Sequence, residues 1–196
     1  MSQEAESEAG GARHLDREAL EAGLDEIRRA PAERGRLEMI VRRPEAGTRE
    51  VLAEGTLDPR EGLVGDDWRR RGSRHTPDGS ADPQMQLTVM SARAAALVAQ
   101  ARERWPLAGD QLYVDLDLSE ANLPPGTRLA LGDACIEVTA EPHAGCRKFV
   151  ERFGLAAMKF VNSEVGRALH LRGVNARVVE PGTVRVGDAV TRLPKG

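Results

Sequence analysis

Apolar residues change their spacing several times along the chain, and each change marks a predicted element. Near the N-terminus they recur every three to five residues, at Leu15, Ala19, Leu20, Leu24 and Ile27. This spacing predicts a helix over 15–29 with one apolar face. Residues 1–12 are Glu-, Ser-, Gly- and Ala-rich without a period, which predicts disorder.

The next pattern has a period of two. Leu37, Met39 and Val41 alternate along the sequence, which predicts a strand. Ile40 interrupts the alternation, as expected of a strand that is buried on both faces. A turn over 44–47 and a second strand-like run over 50–57 then predict a hairpin with this first strand.

The remaining elements are short. Apolar runs predict strands over 85–89 and 113–118, and two strands within 129–140 that are separated at Gly132-Asp133. Gly187-Asp188 separates the last apolar runs in the same way, and both pairs suit hairpin turns. Helices are predicted over 91–104, with Ser91 as N-cap, and over 150–169, with Gly154 as a possible break.

This order of elements predicts a mainly β fold with helices, of the α+β class. The strands do not alternate regularly with helices, which argues against a doubly wound parallel sheet. A small, mainly antiparallel β-barrel decorated by helices fits better. Phe149, Phe153 and Phe160 fall close to one helical face, which predicts core packing.

Charge and composition limit the classes of partner that the protein is expected to bind. The net charge is −3, so nothing in the overall charge indicates a nucleic-acid partner. No apolar run approaches the ~20 residues that span a bilayer. The acidic N-terminus lacks the apolar segment of a secretory signal. We therefore expect a cytoplasmic protein without a membrane or nucleic-acid partner.

The candidate for chemistry is Cys146. It follows the turn-like run 142–145 and precedes a helical pattern, so we expect it near a helix N-terminus, which favours a thiolate. His143, Arg147 and Lys148 would add positive charge, and Gly145 would let the backbone expose the sulfur. A thiolate can act as a nucleophile or bind a soft metal.

The alternative is that Cys146 is a buried, inert cysteine. That description suits Cys135 better, because Cys135 lies inside a predicted strand with no cation beside it. In a reducing compartment both are expected to be thiols rather than a disulfide.

Several segments of the chain together carry a family resemblance. They read NLPPGTRLALGDACIEVTAEPHAGCRKFVERFG, FVNSEVGRALHLRGVNARVVEPG and VRVGD, preceded by GLVGDDWRRR and MQLTVMSARAAAL. They resemble the MOSC domain, the family named for the C-terminal domain of molybdenum-cofactor sulfurase, and PHAGCRKF is the most specific stretch. The resemblance spans most of residues 36–190. It implies a MOSC-like β-barrel over 36–196, after a helical extension over 13–35.

The resemblance also implies chemistry. The characteristic cysteine of the family would fall on Cys146, where it is thought to carry sulfur as a persulfide or to ligate molybdenum in the pterin cofactor. The implied partner is a sulfur donor of the cysteine desulfurase kind or a molybdoenzyme. Pyridoxal phosphate, bound elsewhere in sulfurases, is not supported, because an aminotransferase-like domain and its lysine are missing from the match. We expect a stand-alone MOSC protein.

A pterin phosphate would need basic side chains or backbone N–H groups. The segment 58–84 is rich in Gly, Pro and charge and is predicted to be a long loop, which is often functional in compact domains. The candidates for the cofactor are Arg69, Arg70, Arg71, Arg74 and His75 in this loop, together with His143, Lys148 and Arg152. The alternative for the loop arginines is a solvated surface.

Three functions stay open on this sequence. The first is a sulfur carrier or molybdenum-cofactor-binding protein that uses Cys146, acting as a sulfur transferase or an oxidoreductase. The second is a non-catalytic binding module in which Cys146 is structural. The third is molybdenum-dependent reduction of N-hydroxylated compounds, which would need an electron-donor partner because the chain carries no flavin or haem signature.

Overall fold

A computed structural model describes residues 14–194. Its helices are α1 (Arg17–Ala22), α2 (Leu24–Arg28), α3 (Trp68–Arg71), α4 (Ala92–Ala99), α5 (Arg147–Val161) and α6 (Glu164–Ala168), with 3-10 helices at Pro83–Met85 and Arg102–Ala108. Its strands are β1 (Arg34–Arg42), β2 (Glu50–Leu52), β3 (Glu54–Asp58), β4 (Gly62–Leu63), β5 (Leu87–Ser91), β6 (Leu112–Asp115), β7 (Arg128–Leu131), β8 (Ala134–Val138), β9 (Val174–Glu180), β10 (Gly182–Arg185) and β11 (Ala189–Arg192). The disorder predicted over 1–12 lies outside the described residues.

Seven strands close into a barrel. Their order is β11-β7-β8-β9-β5-β6-β1, and β1 pairs back with β11. Every pairing around the barrel is antiparallel except that of β5 with β6. β2 extends β1 at the edge, while β10, β3 and β4 form a separate three-stranded sheet. The predicted α+β fold with a mainly antiparallel β-barrel is confirmed.

The strand β1 is buried on both faces, as the interruption at Ile40 predicted. Leu37 and Ile40 belong to the aliphatic cluster inside the barrel, whereas Met39 and Val41 belong to the cluster beneath the helices. An irregularity in the pairing with β6 between Leu37 and Met39 shifts the register. That shift changes which residues face inward, because one added residue turns later side chains to the other face.

Two apolar layers result, and five of the six aromatic residues lie in the outer one. The barrel interior is filled by Leu, Ile, Val and Ala. Phe149, Phe153 and Phe160 pack in the outer cluster with Trp105 and Tyr113. Burying each such side chain contributes about 1.5–3 kcal/mol. The outer layer therefore holds α5, the helix that follows Cys146, firmly against the barrel.

Gly154 divides α5 into two segments. Its backbone has φ 88° and ψ 164°, a conformation that is essentially restricted to glycine. The carbonyl of Arg152 is released by this break and accepts hydrogen bonds from His14 Nε2 at 3.2 Å and from Arg104 at 2.9 Å. The helix predicted over 150–169 is thus three helical pieces, since α5 ends at Val161 and α6 follows.

Both predicted hairpins beside the barrel seam need revision. The run 50–57 is two strands, because only β2 pairs with β1, and β3 leaves to pair with β10 and β4. The turn at Gly187-Asp188 likewise joins β10 in the small sheet to β11 in the barrel rather than closing a hairpin. Gly132-Asp133, in contrast, does connect the paired strands β7 and β8. The Gly-Asp turn residues are the same at 132–133 and 187–188. Whether such a turn closes a hairpin is therefore decided by which strands the flanking segments pair with.

Two other boundaries differ from the sequence pattern. The helix predicted over 91–104 stops at Ala99, where Gln100 adopts a positive φ of 64°, and a 3-10 helix containing Pro106 follows. The segment 58–84, predicted as one loop, contains β4, α3 and a 3-10 helix. Within residues 14–194, no helix is long and apolar enough to cross a membrane.

Candidate functional site

Cys146 is exposed and lies where an extended segment meets α5. It is the N-cap residue of that helix, and its carbonyl accepts hydrogen bonds from the backbone N–H groups of Phe149 at 2.9 Å and Val150 at 3.2 Å. Its thiol is free, as is that of Cys135, which is buried in β8. The position predicted for Cys146, at a helix start, is therefore the one observed.

The residue before Cys146 is clamped by one side chain. Asn162 accepts from the Gly145 N–H at 2.9 Å and donates to the Gly145 carbonyl at 3.1 Å. A Cβ added at Gly145 would lie 3.0 Å from Val161 and 3.3 Å from the Asn162 amide. This tight spacing, rather than a positive φ, thus favours glycine at position 145. The clamp fixes the backbone that carries the Cys146 sulfur.

A cavity of about 510 Å³ opens on the same segment. Ala144, two residues before Cys146, lies in its wall. The polar side chains of the wall come from four parts of the chain and are Glu120, Thr139, Glu141, His143, Asn162, Arg167, His170 and Arg172. The cavity and the exposed thiol therefore share one short segment, residues 139–146, and one clamping residue.

A buried charge cluster forms part of the cavity wall. Asp110 is fully buried and contacts His143 Nε2 through Oδ1 at 2.9 Å and Arg172 through Oδ2 at 2.6 Å. Arg172 also donates to the carbonyl of Ala108 at 2.9 Å, and its guanidinium lies 5.2 Å from the ring centre of Phe149. The cluster thereby connects the cavity to the first turn of α5.

The charges in this cluster determine the protonation of His143. Burial alone would raise the pKa of Asp110, but Arg172 and the hydrogen bond from His143 outweigh it and hold that pKa far below its ordinary value. Burial and the nearby Arg172 charge lower the pKa of His143, despite the opposing effect of Asp110. At neutral pH the imidazole is uncharged. The lowered pKa does not support the positive charge that the sequence predicted for His143 near Cys146.

A second buried ion pair joins the loop after β4 to this cluster. Arg43, at 9% exposure, forms a two-point ion pair with Asp66, and its third contact is the carbonyl of Gly109 at 2.9 Å. Gly109 directly precedes Asp110. Asp66 also accepts from the backbone N–H of Arg43 at 2.9 Å. The Gly-Asp pair at 65–66 is thus tied to the cavity wall through the interior.

Two further arginines approach Gly109 from outside. A Cβ added at Gly109 would lie 3.8 Å from an Arg152 nitrogen and 3.9 Å from an Arg49 nitrogen. Burial, followed by the charges of Arg152 and Arg43, lowers the pKa of Arg49. The Arg49 Nε is buried without a hydrogen-bond partner among the described residues. Arg49 and Arg152 thus bring two like charges close to Gly109, an arrangement that suits an anion.

Most of the basic residues predicted to bind the cofactor are exposed or already paired with other groups of the protein. Arg69 pairs with Glu61, Arg70 donates to the carbonyl of Pro44, and Arg71 pairs with Asp67 at 2.9 Å. These three residues, Arg74 and His75 are all exposed. Arg152 donates to the carbonyl of Leu107 at 2.6 Å, while Lys148 is exposed in the first turn of α5. No contact between the loop cations and Cys146 is found within residues 14–194.

Sequence reasoning missed most of the buried cluster. The ion pair of Asp110 with Arg172 joins residues 62 positions apart, and that of Arg43 with Asp66 joins residues 23 positions apart. No local period reports such pairs. The available signal was weaker: Asp110 and Arg172 each stand two residues before an apolar strand, where a buried charge is expected to be paired.

The donor atoms at the site suit a single sulfur ligand. Among the described residues, no group of three or more His, Cys, Asp or Glu side chains could enclose a metal ion. Arg172 Nε and Asn175 Oδ1 are buried without a partner in this part of the structure. Asn175 also donates to the carbonyl of Glu141 at 3.1 Å, in the cavity wall. With one exposed thiol and no enclosing set of ligands among the described residues, the site fits a metal held mainly by its own organic ligand.

Comparison with known proteins agrees with this geometry. The family model of the MOSC domain matches residues 65–191. A hypothetical protein of known crystal structure superposes with a TM-score of 0.57 at 21% identity, over 83% of this chain and 69% of that one. The YuaD protein of Bacillus subtilis gives 0.54 at 17% identity, over 80% of this chain and 94% of that one.

YiiM from Escherichia coli gives a TM-score of 0.53 at 22% identity, over 82% of this chain and 71% of that one. At these identities the structural matches establish the fold alone. No curated protein matches the sequence. The family model covers well over half of the chain and includes the cavity wall, Gly145 and Cys146. This chain belongs to the MOSC domain family.

Proposed function

We propose that this protein binds the molybdenum cofactor and uses Cys146 as its sulfur ligand or as a persulfide carrier. One observation carries the proposal: an exposed thiol follows a backbone segment that Asn162 clamps and that forms one wall of a cavity. Clamping matters because a ligand atom must be held in position for binding to be selective. The family is associated with this cofactor, which supports the assignment.

The residues present fit the group. Cys146 would supply the soft ligand. Arg172 Nε and Asn175 Oδ1, buried and without partners among the described residues, match a heterocycle that carries both acceptors and donors. Arg49 and Arg152 would meet the anionic end, since guanidinium groups bind phosphate through paired hydrogen bonds. When bound, the cofactor supplies two-electron chemistry at molybdenum.

Two activities are compatible with this site. As a sulfur carrier, Cys146 thiolate attacks the outer sulfur of a donor persulfide, and the donor leaves as a thiolate. The donor would be a protein of the cysteine desulfurase kind, and the acceptor a molybdoenzyme. The second candidate is reduction of an N-hydroxylated compound to the amine and water, which consumes two electrons and two protons. His143 in the cavity wall favours this candidate, because an imidazole can take a proton from water and pass it to the leaving hydroxyl.

The experiment compares wild-type protein with Cys146→Ser and Cys135→Ser, all purified from a host that makes the cofactor. We expect molybdenum and pterin to co-purify with wild type and Cys135→Ser and to be lost from Cys146→Ser. Persulfide loading is measured in parallel, as the mass of one added sulfur after incubation with a cysteine desulfurase and cysteine. Equal molybdenum and equal sulfur in all three proteins would contradict the proposal and favour a non-catalytic binding module.

A further inference from the structure

His143 holds a fixed position in the cavity wall. Its side chain is 14% exposed, and the nitrogen Nε2 is engaged by Asp110, which is fully buried. The ring therefore presents its remaining edge, with Nδ1, on the side away from Asp110. No hydrogen bond to Nδ1 is found among residues 14–194. The cavity thus contains an imidazole with one nitrogen anchored and the other available to a ligand.

The anchoring fixes which nitrogen carries the proton. Asp110 is ionised at neutral pH because Arg172 and His143 hold its pKa far below the ordinary value. A carboxylate only accepts hydrogen bonds, so Nε2 must be the protonated nitrogen. The pKa of His143 is lowered by burial and by Arg172, so the second nitrogen carries a lone pair at neutral pH. The charged groups that act on the ring are Asp110, Arg172 and Arg43.

Arg172 completes the arrangement. It bridges Asp110, the carbonyl of Ala108 and the ring of Phe149, so the carboxylate cannot rotate away from His143 without breaking an ion pair. Its charge also opposes protonation of Asp110, which would otherwise compete with His143 for a proton. The carboxylate orients the imidazole and stabilises the imidazolium that forms when the ring takes up a proton.

We propose that His143 is the proton acceptor of this cavity, with Nδ1 taking a proton from an N–H or O–H group of the bound ligand and Asp110 as its positioning residue. The step moves one proton and no electrons: the N–H or O–H bond breaks, an Nδ1–H bond forms, and the proton returns to a leaving group or to water. The ligand class is a small molecule bearing such a donor. The inference deepens the proposed function and, for its catalytic assay, rests on it.

A first experiment does not need molybdenum. Labelled histidine in the full chain is examined by long-range ¹⁵N–¹H NMR at neutral pH, and the purified protein is treated with diethyl pyrocarbonate, which acylates an unprotonated imidazole nitrogen. We expect His143 to be neutral with the proton on Nε2 and to be acylated. Asp110→Asn should lose the preference for Nε2 but should still be acylated, because Asp110 raises the pKa of His143 and its removal leaves the ring uncharged. Asp133→Asn, an exposed aspartate in the β7–β8 turn, should behave as wild type.

A second experiment uses molybdenum-loaded protein and reduction of an N-hydroxylated amidine by a reduced viologen. His143→Ala should lower kcat about 10²- to 10⁴-fold at unchanged molybdenum content. Added imidazole should restore activity, with a pH dependence that follows the added base. Rescue separates proton transfer from a merely structural role, because a free imidazole cannot rebuild the wall.

The two experiments separate the two hypotheses. Protein without molybdenum would contradict the proposed function, while a neutral, reactive His143 would still support this inference. A proton on Nδ1, or His143 that resists acylation in a protein whose other histidines react, would overturn the inference alone. So would loaded His143→Ala protein with wild-type kcat.

Discussion

At the scale of single residues, the two cysteines differ in their exposure to solvent. Cys135 is 4% exposed in β8, and burial followed by the charge of Glu180 raises the pKa of its thiol. Cys146 is exposed at the end of an extended segment. Reaction of a thiol requires both access and ionisation, so the contrast is open to direct measurement.

We predict that iodoacetamide alkylates Cys146 faster than Cys135 at neutral pH. The measurement is mass spectrometry of the two peptides over time, repeated across a range of pH. Cys135→Ser leaves only the Cys146 signal and serves as the control for assignment. Slow labelling at equal rates would show that access to Cys146 is closed in solution and would remove the thiol from any sulfur-carrying role.

The residue scale is also where sequence reasoning reached least far. Cys146 was predicted because its neighbours in sequence, a glycine and a helical pattern, are also its neighbours in space. Asp110 and Arg172 were not, because an ion pair across 62 residues leaves no periodic trace. His143 was predicted as a cation from its sequence neighbours, whereas the groups that lower its pKa come from distant segments.

At the scale of elements, α5 depends on one backbone conformation. Gly154 has a positive φ, and a Cβ placed there would lie 2.8 Å from His14 Nδ1. Replacing Gly154 by alanine would therefore destabilise the protein in two separate ways: by strain in the positive-φ backbone and by displacement of His14. Gly126 provides a comparison, since it has nearly the same φ, +86°, but nothing within 4 Å of an added Cβ.

We predict that Gly154→Ala lowers the free energy of unfolding by about 1–3 kcal/mol. Gly126→Ala should cost less, because it carries the backbone strain without the contact. In a His14→Gly background, which removes the His14 Nδ1, Cγ and Cβ atoms at 2.8, 3.0 and 3.1 Å, the cost of Gly154→Ala should fall towards that of Gly126→Ala. Urea denaturation of the four variants measures these differences. A Gly154→Ala protein as stable as wild type would mean that α5 can become one continuous helix.

Helices and strands were predicted best where the hydrophobic pattern lies within one element or where the paired strands are neighbours in sequence. The two-faced burial of β1 was read from Ile40, and the β7–β8 hairpin was read from Gly132-Asp133. The run 50–57 was misassigned because its break at Ala53 sends β3 to a strand more than a hundred residues away. Periodicity reports which face of a strand is buried, but it does not report the partner strand.

At the scale of the whole molecule, the buried charges couple folding to pH. The pKa of His143 is lowered in the folded state by burial and by Arg172. Below the ordinary histidine value of about 6.5, the unfolded chain therefore binds more protons than the folded one, and stability falls as pH falls. Asp110 has a lowered pKa as well, so its contribution is present above about pH 3.9 and is lost below it.

We predict that the free energy of unfolding of the wild type decreases between about pH 7.5 and pH 5.5, on either side of the ordinary histidine pKa. His143→Gln should show a smaller decrease over the same interval, even if it is less stable at every pH, because glutamine does not titrate. Urea midpoints at three pH values give both slopes. Parallel slopes for the two proteins would show that His143 does not carry this dependence.

The seam of the barrel has a consequence for how the protein is made. Arg34 in β1 pairs with Thr191 in β11, so almost the whole described chain separates the two edges that must meet. At a synthesis rate of about 5–20 residues per second, β1 waits on the order of 10 s on the ribosome before its partner emerges. Contacts this far apart in sequence also form slowly. During that interval the backbone edge of β1 that later pairs with β11 is open, and Leu37 and Ile40 are not yet enclosed by the barrel. A chaperone or a neighbouring nascent chain can bind there.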